Sequence, residues 1–400
     1  MKQHKKEDFS NNNHIIGFSK SFSAFICTFF ACLILTVPVL HLALPKNTFS
    51  EDENRALTSA PSFSFDRLLD GRYTEQLSAY LRDHMPLRGI FLQTKAATEL
   101  TLLKGENNHV MVTRNRGLVK RFSYTDAQLI TLQKNLLAAE ALQDVLASYG
   151  PTVFLCAPRA MDVLADNTLY ESAERSPWSI LASTASTALT MQNLLRQKAL
   201  LGERVWFHTD HHWTALGAFY VYQELGASLK YTPYPRDSFT ATEVCRDFLG
   251  TSQSSAQIPL VRPDTVISFR YSGDGAYTCT NRLTGQARSG LYVEEALSKK
   301  DKYQYFLGEN TAWLSITKND ETNRPTLLII KDSFAQSLVP FLARHFDIEM
   351  LDLRYFRGDA TEAIREITAS PSYAGALILY NADTLTGETG LARIDLNILQ

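Results

Sequence analysis

The chain has 400 residues, of which 45% are hydrophobic and 20% are charged, and its formal net charge at pH 7 is -2. This is the composition of an ordinary globular protein with room for two or three domains, or one large domain with additional segments. The near-neutral charge argues against a general nucleic-acid-binding protein, which would normally be basic. The cysteines that lie outside the apolar N-terminal run show no Cys-x-x-Cys or Cys/His spacing, so no metal site is predicted from them.

The N-terminal part has the pattern of a membrane anchor. Residues 1–20 are polar and basic and are predicted to be a cytoplasmic tail, whereas residues 21–44 contain no Asp, Glu, Lys or Arg. A run of this length can cross a bilayer as a helix, and the lysines before it place the tail in the cytoplasm. We therefore predict a single-pass cell-membrane protein whose C-terminal domain is extracytoplasmic. A cleaved signal peptide and a buried core helix are the alternatives.

The chain after the apolar run is predicted to be a linker, residues 45–64, followed by one domain over residues 65–400. Apolar residues at helical spacing predict helices at 65–82 and 89–103, separated by Pro86, and a long helix at 125–148. A hairpin is predicted at 109–119.

Strand and helix patterns alternate through the rest of the chain. Strands are predicted at 152–158, 204–207, 325–334, 349–354 and 375–381, and helices at 183–201, 215–229, 335–345 and 361–369. Such alternation predicts an α/β fold with a mostly parallel sheet. Residues 231–320 are polar and rich in turns, and they are predicted to be an irregular or β insertion. Cys245 and Cys279 in this stretch could form a disulfide or remain free thiols.

One short segment concentrates side chains that handle protons. Asp210, His211 and His212 follow a predicted strand and precede a predicted helix, which is where α/β enzymes place their chemistry. An Asp–His pair two residues apart can hydrogen-bond while the imidazole faces a cleft, so Asp210 can orient His212 or, alternatively, His211 as a general base. His208, Asp210 and the two following histidines could instead hold a metal, although consecutive ligands point apart. Trp213 is interpreted as a packing residue, with a substrate platform as the alternative.

Ser333 is the candidate nucleophile. It lies between the most regular predicted strand and a helix, at the carboxyl edge of the sheet where ligands bind. The N–H groups of the helix N-terminus suit an oxyanion that forms beside the hydroxyl. A serine needs a base and a group that orients the base, and the histidine segment offers both. The alternative is that Ser333, or Asp332 before it, only caps the helix.

These residues carry a resemblance to a known family. Asp210-His211-His212-Trp213, followed much later by Lys331-Asp332-Ser333-Phe334, resembles the DHHW protein family of bacteria, which is related to the alginate O-acetyltransferases of the SGNH-hydrolase-like superfamily. Four further segments are similar to signatures of the family: residues 49–55, 83–88, 306–310 and 352–355.

The resemblance implies an SGNH-hydrolase-like three-layer α/β/α fold and an Asp210–His212–Ser333 catalytic triad. It also implies an O-acetyltransferase or carbohydrate esterase that acts on a cell-surface polysaccharide without a cofactor. A membrane-bound O-acyltransferase (MBOAT) would be the partner that supplies the acyl group. Lys331-Asp332 stands where the acetyltransferases have Gly-Thr, a departure that bears on the oxyanion hole. The alternative is a non-catalytic envelope protein that binds glycan or acts as a scaffold.

Three further residues are candidates for contacts with the substrate or the oxyanion. Arg354 and Arg159 follow predicted strand ends, so each could hold a substrate carboxylate or steady the oxyanion, or form a surface salt bridge instead. Asn310 is a candidate oxyanion donor. No metal, cofactor or nucleic-acid partner is predicted.

Overall fold

The structure, a computed structural model, describes residues 20–115, 117–164, 177–271, 276–319 and 323–399. The helices are α1 (Lys20–Ala43), α2 (Phe65–Leu69), α3 (Arg72–Asp83), α4 (Arg88–Thr101), α5 (Asp126–Ala147), α6 (Ala160–Leu164), α7 (Pro177–Thr184), α8 (Gln192–Leu200), α9 (Ala215–Ser228), α10 (Thr251–Ala256), α11 (Ala335–Leu342), α12 (Ala360–Thr368), α13 (Ala382–Leu385) and α14 (Leu396–Leu399). The strands are β1 (Phe49–Ser50), β2 (Arg55–Ala56), β3 (Glu106–Asn107), β4 (Val110–Val112), β5 (Leu118–Lys120), β6 (Thr152–Ala157), β7 (Thr240–Phe248), β8 (Asp264–Arg270), β9 (Tyr277–Asn281), β10 (Ala287–Ser289), β11 (Trp313–Lys318), β12 (Thr326–Lys331), β13 (Asp347–Leu351) and β14 (Tyr373–Asn381). The chain divides into two compact units, one containing the residues up to Ser50 with Arg55–Phe91, and the other containing Glu51–Asn54 with Leu92–Gln400.

The first unit begins with the apolar helix that the sequence predicts. Residues Phe22–Ala43 of α1 have a mean hydropathy of 2.3, so the helix is long and apolar enough to cross a membrane. Its most apolar stretch is not buried, which argues against the alternative of a core helix. Membrane insertion remains a prediction, and the predicted cytoplasmic tail, apart from Lys20, lies outside the described residues.

The helix predicted at 65–82 is interrupted. Gly71 adopts φ = +82°, a left-handed conformation that glycine tolerates without strain, and it separates α2 from α3. An ion pair then joins the two N-terminal segments that resemble family signatures. The Arg55 guanidinium donates to both Asp83 carboxylate oxygens, at 3.1 and 2.7 Å, and Thr58 donates to the same carboxylate through its N–H and its hydroxyl.

The second unit is organised around a large sheet. Among the described residues it contains seven strands in the order β10-β9-β11-β13-β12-β14-β6, of which β13, β12, β14 and β6 are mutually parallel. Side chains of β12 alternate between two hydrophobic clusters, with Leu327 and Ile329 in one and Leu328 and Ile330 in the other. Helices α9 and α11 contribute to the first cluster, and α5 and α12 contribute to the second. The prediction of a mixed α/β fold with a large, mostly parallel sheet is confirmed.

Two sequence predictions in this unit are wrong. The helix expected at 183–201 is broken, because Leu189 exchanges backbone hydrogen bonds with Phe154 and Cys156 of the edge strand β6 and is therefore extended. The strand expected at 204–207 is reduced to a single antiparallel bridge between Trp206 and Trp213.

The predicted insertion at 231–320 is not separate from the sheet. Strands β9, β10 and β11 extend the central sheet on one side through antiparallel pairing, and β7 pairs with β8 in a two-stranded sheet. Polar residues at alternate positions concealed β9, and β7 is exposed along most of its length. Cys245 and Cys279 are both free thiols.

Candidate active site

The histidine segment is held as a tight turn by a buried carboxylate. Asp264, the first residue of β8, accepts hydrogen bonds from the His208 N–H at 2.9 Å, the Thr209 N–H at 2.7 Å and the Thr209 hydroxyl at 2.7 Å. The bridge between Trp206 and Trp213 closes the turn. Because the Asp264 carboxylate accepts from the backbone N–H groups of both residues, it fixes the backbone that precedes Asp210. The side chains of the histidine segment are therefore held in fixed directions.

His212 lies between Asp210 and Ser333. Its Nδ1 is 2.6 Å from Asp210 Oδ1, and its Nε2 is 2.8 Å from Ser333 Oγ. The three residues that the sequence predicts as a triad are therefore brought into one hydrogen-bonded chain. In this geometry the Nδ1 proton faces the carboxylate, and Nε2 is free to accept the serine proton.

Asp210 is fully enclosed and has further partners. Its Oδ2 accepts from the Thr251 N–H at 2.8 Å and from the Thr251 hydroxyl at 2.9 Å. Burial opposes ionisation, but the charges of His212 and His211 and these hydrogen bonds hold the pKa of Asp210 well below its usual value.

Gly250 allows this enclosure. A Cβ added to it would lie 2.3 Å from the Asp210 Cβ and 2.4 Å from its Oδ2, which is closer than any real contact. The backbone at residues 250–251 can therefore approach the carboxylate only because residue 250 has no side chain.

Ser333 occupies the turn between β12 and α11. The preceding Asp332 is fully buried and points away from the hydroxyl, since its carboxylate accepts from the Phe334 N–H at 2.9 Å and the Asn381 N–H at 2.7 Å. It thereby ties the end of β12 to the end of β14. Asp332, and not Ser333, satisfies the local backbone, so the Ser333 hydroxyl remains available to His212.

Aromatic rings enclose the His212 imidazole. The Tyr303 ring is parallel to it, with centroids 3.9 Å apart and planes at 6°, and Phe334 packs on it at 5.0 Å. Trp213 is fully buried and donates its indole N–H to the Phe334 carbonyl oxygen at 3.1 Å and to Ser337 Oγ at 3.0 Å. A fully buried ring presents no face to a substrate, so Trp213 is a packing residue.

His211 has a different environment from His212. Its Nδ1 is 2.5 Å from Thr251 Oγ1, and burial together with the neighbouring His212 lowers its pKa. The potential ligand atoms of Asp210, His211 and His212 lie within 4.8 Å of one another. However, both nitrogens of His212 and both oxygens of Asp210 already have hydrogen-bond partners. The residues therefore fit an acid–base chain better than a metal site.

Two of the other candidates are linked at the same sheet edge. The Asp352 carboxylate pairs with Arg354 at 2.7 Å and with buried Lys331 at 3.1 Å, and Lys331 Nζ also donates to Asn310 Oδ1. Lys331 thus sets the orientation of the Asn310 amide. The Arg354 guanidinium donates to both Asp352 oxygens, through Nε at 2.9 Å and Nη2 at 2.7 Å, and the residue lies at the surface.

Arg159 belongs to a separate cluster. Its guanidinium pairs with Asp162 at 2.7 Å and donates to the Tyr124 hydroxyl at 3.1 Å, and the residue is buried at the end of the edge strand β6. An arginine whose guanidinium is already paired inside the protein has a structural role. Its position gives no support to the predicted contact with a substrate.

Sequence reasoning missed Asp264, Thr251, Gly250 and Tyr303. Each reaches the histidine turn from a part of the chain distant in sequence, and none lies in a local pattern that distinguishes it from ordinary loop or core residues. Tyr303 does lie three residues before the predicted family segment at 306–310.

Comparisons with known proteins agree with this architecture. The sequence profile of the DHHW protein family matches residues 152–351. A DHHW family protein from Eubacterium siraeum has a similar structure, with a TM-score of 0.56 and 19% identity over 72% of this chain and 95% of that chain. Bacillus cereus PatB1, solved with a sulfonyl adduct, gives a TM-score of 0.55 and 18% identity over 72% of this chain and 100% of that chain. No curated protein sequence matches the chain. The profile matches half of the chain, and the fold is shared with these solved structures. The chain therefore belongs to the DHHW protein family.

Proposed function

We propose that the protein is a membrane-anchored, extracytoplasmic serine O-acetyltransferase that modifies a cell-surface polysaccharide. The observation that carries this proposal is the hydrogen-bonded chain from Asp210 through His212 to Ser333. Family membership and helices on both faces of the sheet support an SGNH-hydrolase-like three-layer fold, with one domain after the linker at residues 45–64.

The proposed reaction has two halves. Ser333 Oγ attacks the acetyl carbonyl carbon while its proton passes to His212 Nε2, and the ester C–O bond of the donor then breaks as its oxygen takes that proton. This leaves acetyl-Ser333. A sugar hydroxyl next gives its proton to His212 and attacks the acetyl-serine. The bond from the acetyl carbon to Ser333 Oγ then breaks as His212 returns the proton to Oγ, which leaves the acetylated sugar and free Ser333. Water in place of the sugar would give hydrolysis.

The oxyanion is assigned to two donors. Among the described residues the Ser333 N–H has no hydrogen-bond acceptor, and neither has the Asn310 amide NH₂, whose oxygen is occupied by Lys331. The first group belongs to the nucleophile itself, and Asn310 lies just before β11, whose first residue Trp313 pairs with Leu351 at the end of β13. An oxyanion hole is therefore still possible with Lys331-Asp332 in place of the Gly-Thr of the acetyltransferases. The Asp332 carboxylate is bound to the Asn381 N–H, and Lys331 orients the Asn310 amide.

The acyl donor follows from the proposed topology. A domain outside the cell has no access to cytoplasmic acyl thioesters, so an acetyl group must cross the membrane. A membrane-bound O-acyltransferase (MBOAT) partner would supply it, and α1 would hold the domain near that partner.

The test is covalent labelling of the full-length protein in detergent with a fluorophosphonate or a sulfonyl fluoride, together with hydrolysis of p-nitrophenyl acetate. We expect labelling in the wild type and its loss in Ser333→Ala and His212→Ala. The matched control is Ser315→Ala, since Ser315 is a hydroxyl of β11 bonded to Glu349. Absence of labelling between about pH 6 and 9 in a folded protein would contradict the enzyme and favour a non-catalytic glycan-binding protein.

A further inference from the structure

One cavity near the carboxyl end of β13 is rich in arginine. It has a volume of about 400 Å³ and is lined by residues 353–354 and 356–360 and by Thr389, Gly390 and Arg393. Three arginines, Arg354, Arg357 and Arg393, belong to this lining, and the Arg354 guanidinium is bound to Asp352. We call it the arginine pocket.

The arginine pocket lies on the strand next to the nucleophile. Strands β12 and β13 are parallel neighbours with Ile330 opposite Leu351, so Ser333 and Arg354 each follow the carboxyl end of one of two paired strands. Neighbouring strands are about 4.8 Å apart. The ion pair between Lys331 and Asp352 joins the two strand ends. Burial is the main cause of the lowered pKa of His211, and the charges of His212 and, to a smaller degree, Arg354 add to it.

The charges in the pocket do not cancel. Asp352 is shared between Lys331 and Arg354, whereas the Arg357 and Arg393 guanidinium groups have no carboxylate partner among the described residues. Asp359 is the one acidic residue in the lining, and its carboxylate accepts from the Thr361 N–H at 2.9 Å. The field in the pocket is therefore positive and favours an anion.

The wall of the pocket is preformed. The Glu388 carboxylate, buried behind it, accepts from the N–H groups of Thr389 and Gly390. Burial raises the pKa of Glu388, whereas these two N–H groups and the charge of Arg354 oppose that shift. Gly390 packs so closely on Leu353 that a Cβ there would lie 2.5 Å from the Leu353 Cβ. The backbone behind the arginines is thus fixed without a bound ligand.

We propose that the arginine pocket binds an anionic group of the acceptor polysaccharide, a carboxylate or a phosphate, and so selects anionic over neutral glycans. This inference rests on the proposed acetyl transfer for its biological meaning. Guanidinium groups match the paired oxygens of both anions through two parallel hydrogen bonds. With the pocket one strand from Ser333, the anion and the hydroxyl that is acetylated can belong to the same or neighbouring sugars.

The test measures binding without catalysis. Full-length Ser333→Ala protein in a neutral detergent is titrated by calorimetry with an oligogalacturonate, a glycerol-phosphate oligomer and a cello-oligosaccharide of matched length. We expect at least one anionic oligomer to bind about tenfold or more tightly than the neutral one, with affinity that falls as salt is added. The two anionic arms distinguish a carboxylate from a phosphate.

Variants identify the site. In the Ser333→Ala background, Arg357→Ala and Arg393→Ala should each weaken binding of the anionic oligomer about tenfold, and Arg357→Lys should weaken it less. Arg365→Ala is the matched control, because Arg365 is exposed on α12 and pairs with Glu362 outside the pocket. The inference is overturned if neither anion binds more tightly than the neutral oligomer, or if both alanine variants bind like the control. Failure of serine labelling in the wild type would instead refute the acetyltransferase and leave this binding result unchanged.

Discussion

The ring of Tyr303 lies flat against the ring of His212, with 3.9 Å between centroids and 6° between planes. The Tyr303 hydroxyl donates to the Ser333 carbonyl oxygen at 3.3 Å and contacts Ser337 Oγ at 3.0 Å. Burial raises the pKa of Tyr303, so the phenol stays neutral and remains a donor. One side chain therefore fixes the plane of the proposed base and the backbone of the proposed nucleophile.

Replacing Tyr303 should separate these two roles. Tyr303→Phe keeps the stacked ring, and we expect kcat for p-nitrophenyl acetate within about threefold of wild type, because only neutral hydrogen bonds are lost. Tyr303→Leu removes the aromatic face that would stabilise His212 when it takes the serine proton. We therefore expect kcat to fall about 10- to 30-fold, with a smaller change in KM. Tyr305→Leu, which removes a buried ring outside the site, controls for loss of packing. Equal kinetics for the two Tyr303 variants would contradict the stacking role.

The enclosure of Asp210 should be sensitive to a single methyl group. Gly250→Ala places a Cβ within 2.4 Å of the Asp210 carboxylate, so the carboxylate must move and its hydrogen bond to His212 must lengthen. We expect kcat to fall by about 10²- to 10³-fold, since a misoriented base loses most of its effect. The control is Gly387→Ala, because an added Cβ there meets no atom within 4 Å. Steady-state kinetics with an activated acetyl ester measure both, and wild-type activity in Gly250→Ala would refute the role assigned to Asp210.

Asp332 should matter for stability through its two backbone partners. Asp332→Ala leaves the N–H groups of Phe334 and Asn381 buried without an acceptor, at a cost of about 1–3 kcal/mol for each in the free energy of unfolding. Asp332→Asn keeps one acceptor oxygen and should be less destabilised. Thermal unfolding followed by circular dichroism measures both, with the exposed Asp237→Ala as control. An unchanged unfolding temperature in Asp332→Ala would show that these bonds are replaced by water.

The ion pair between Arg55 and Asp83 should make the stability of the first unit depend on pH. Hydrogen bonds from Arg55, although opposed by burial, lower the pKa of Asp83 on folding. A depressed carboxyl pKa stabilises the folded state above its ordinary pKa of about 4, and this contribution is lost as pH falls below that value. The unfolding temperature of the wild type should therefore fall more steeply between about pH 5 and 3 than that of Asp83→Asn. Parallel pH profiles for the two proteins would contradict this assignment.

The sequence predicted the parts of the molecule that have a local signature. Strand β12 was recognisable because consecutive apolar residues serve a strand buried on both faces, and Ser333 because it follows that strand directly. His212 and Asp210 were recognisable because they lie two residues apart in one turn.

The remainder depends on contacts between distant segments. Nothing near Thr251 or Tyr303 indicates that one holds Asp210 and the other stacks on His212, because these contacts arise only when the chain is folded. The predicted helix at 183–201 failed for a similar reason, since pairing of Leu189 with β6 overrides the local helical preference. The antiparallel strands β9–β11 were obscured because their polar residues resemble those of loops.

The hydrogen bond from the Trp213 indole to the Phe334 carbonyl oxygen has a practical consequence. It gives the protein an intrinsic fluorophore whose acceptor belongs to the residue directly after Ser333. Indole emission responds to hydrogen bonding and local polarity, so a change at the serine reaches the chromophore through one peptide unit. Stopped-flow fluorescence of the unlabelled protein, with a Trp213→Phe variant to identify the signal, would then report the formation and decay of an acyl-serine in real time.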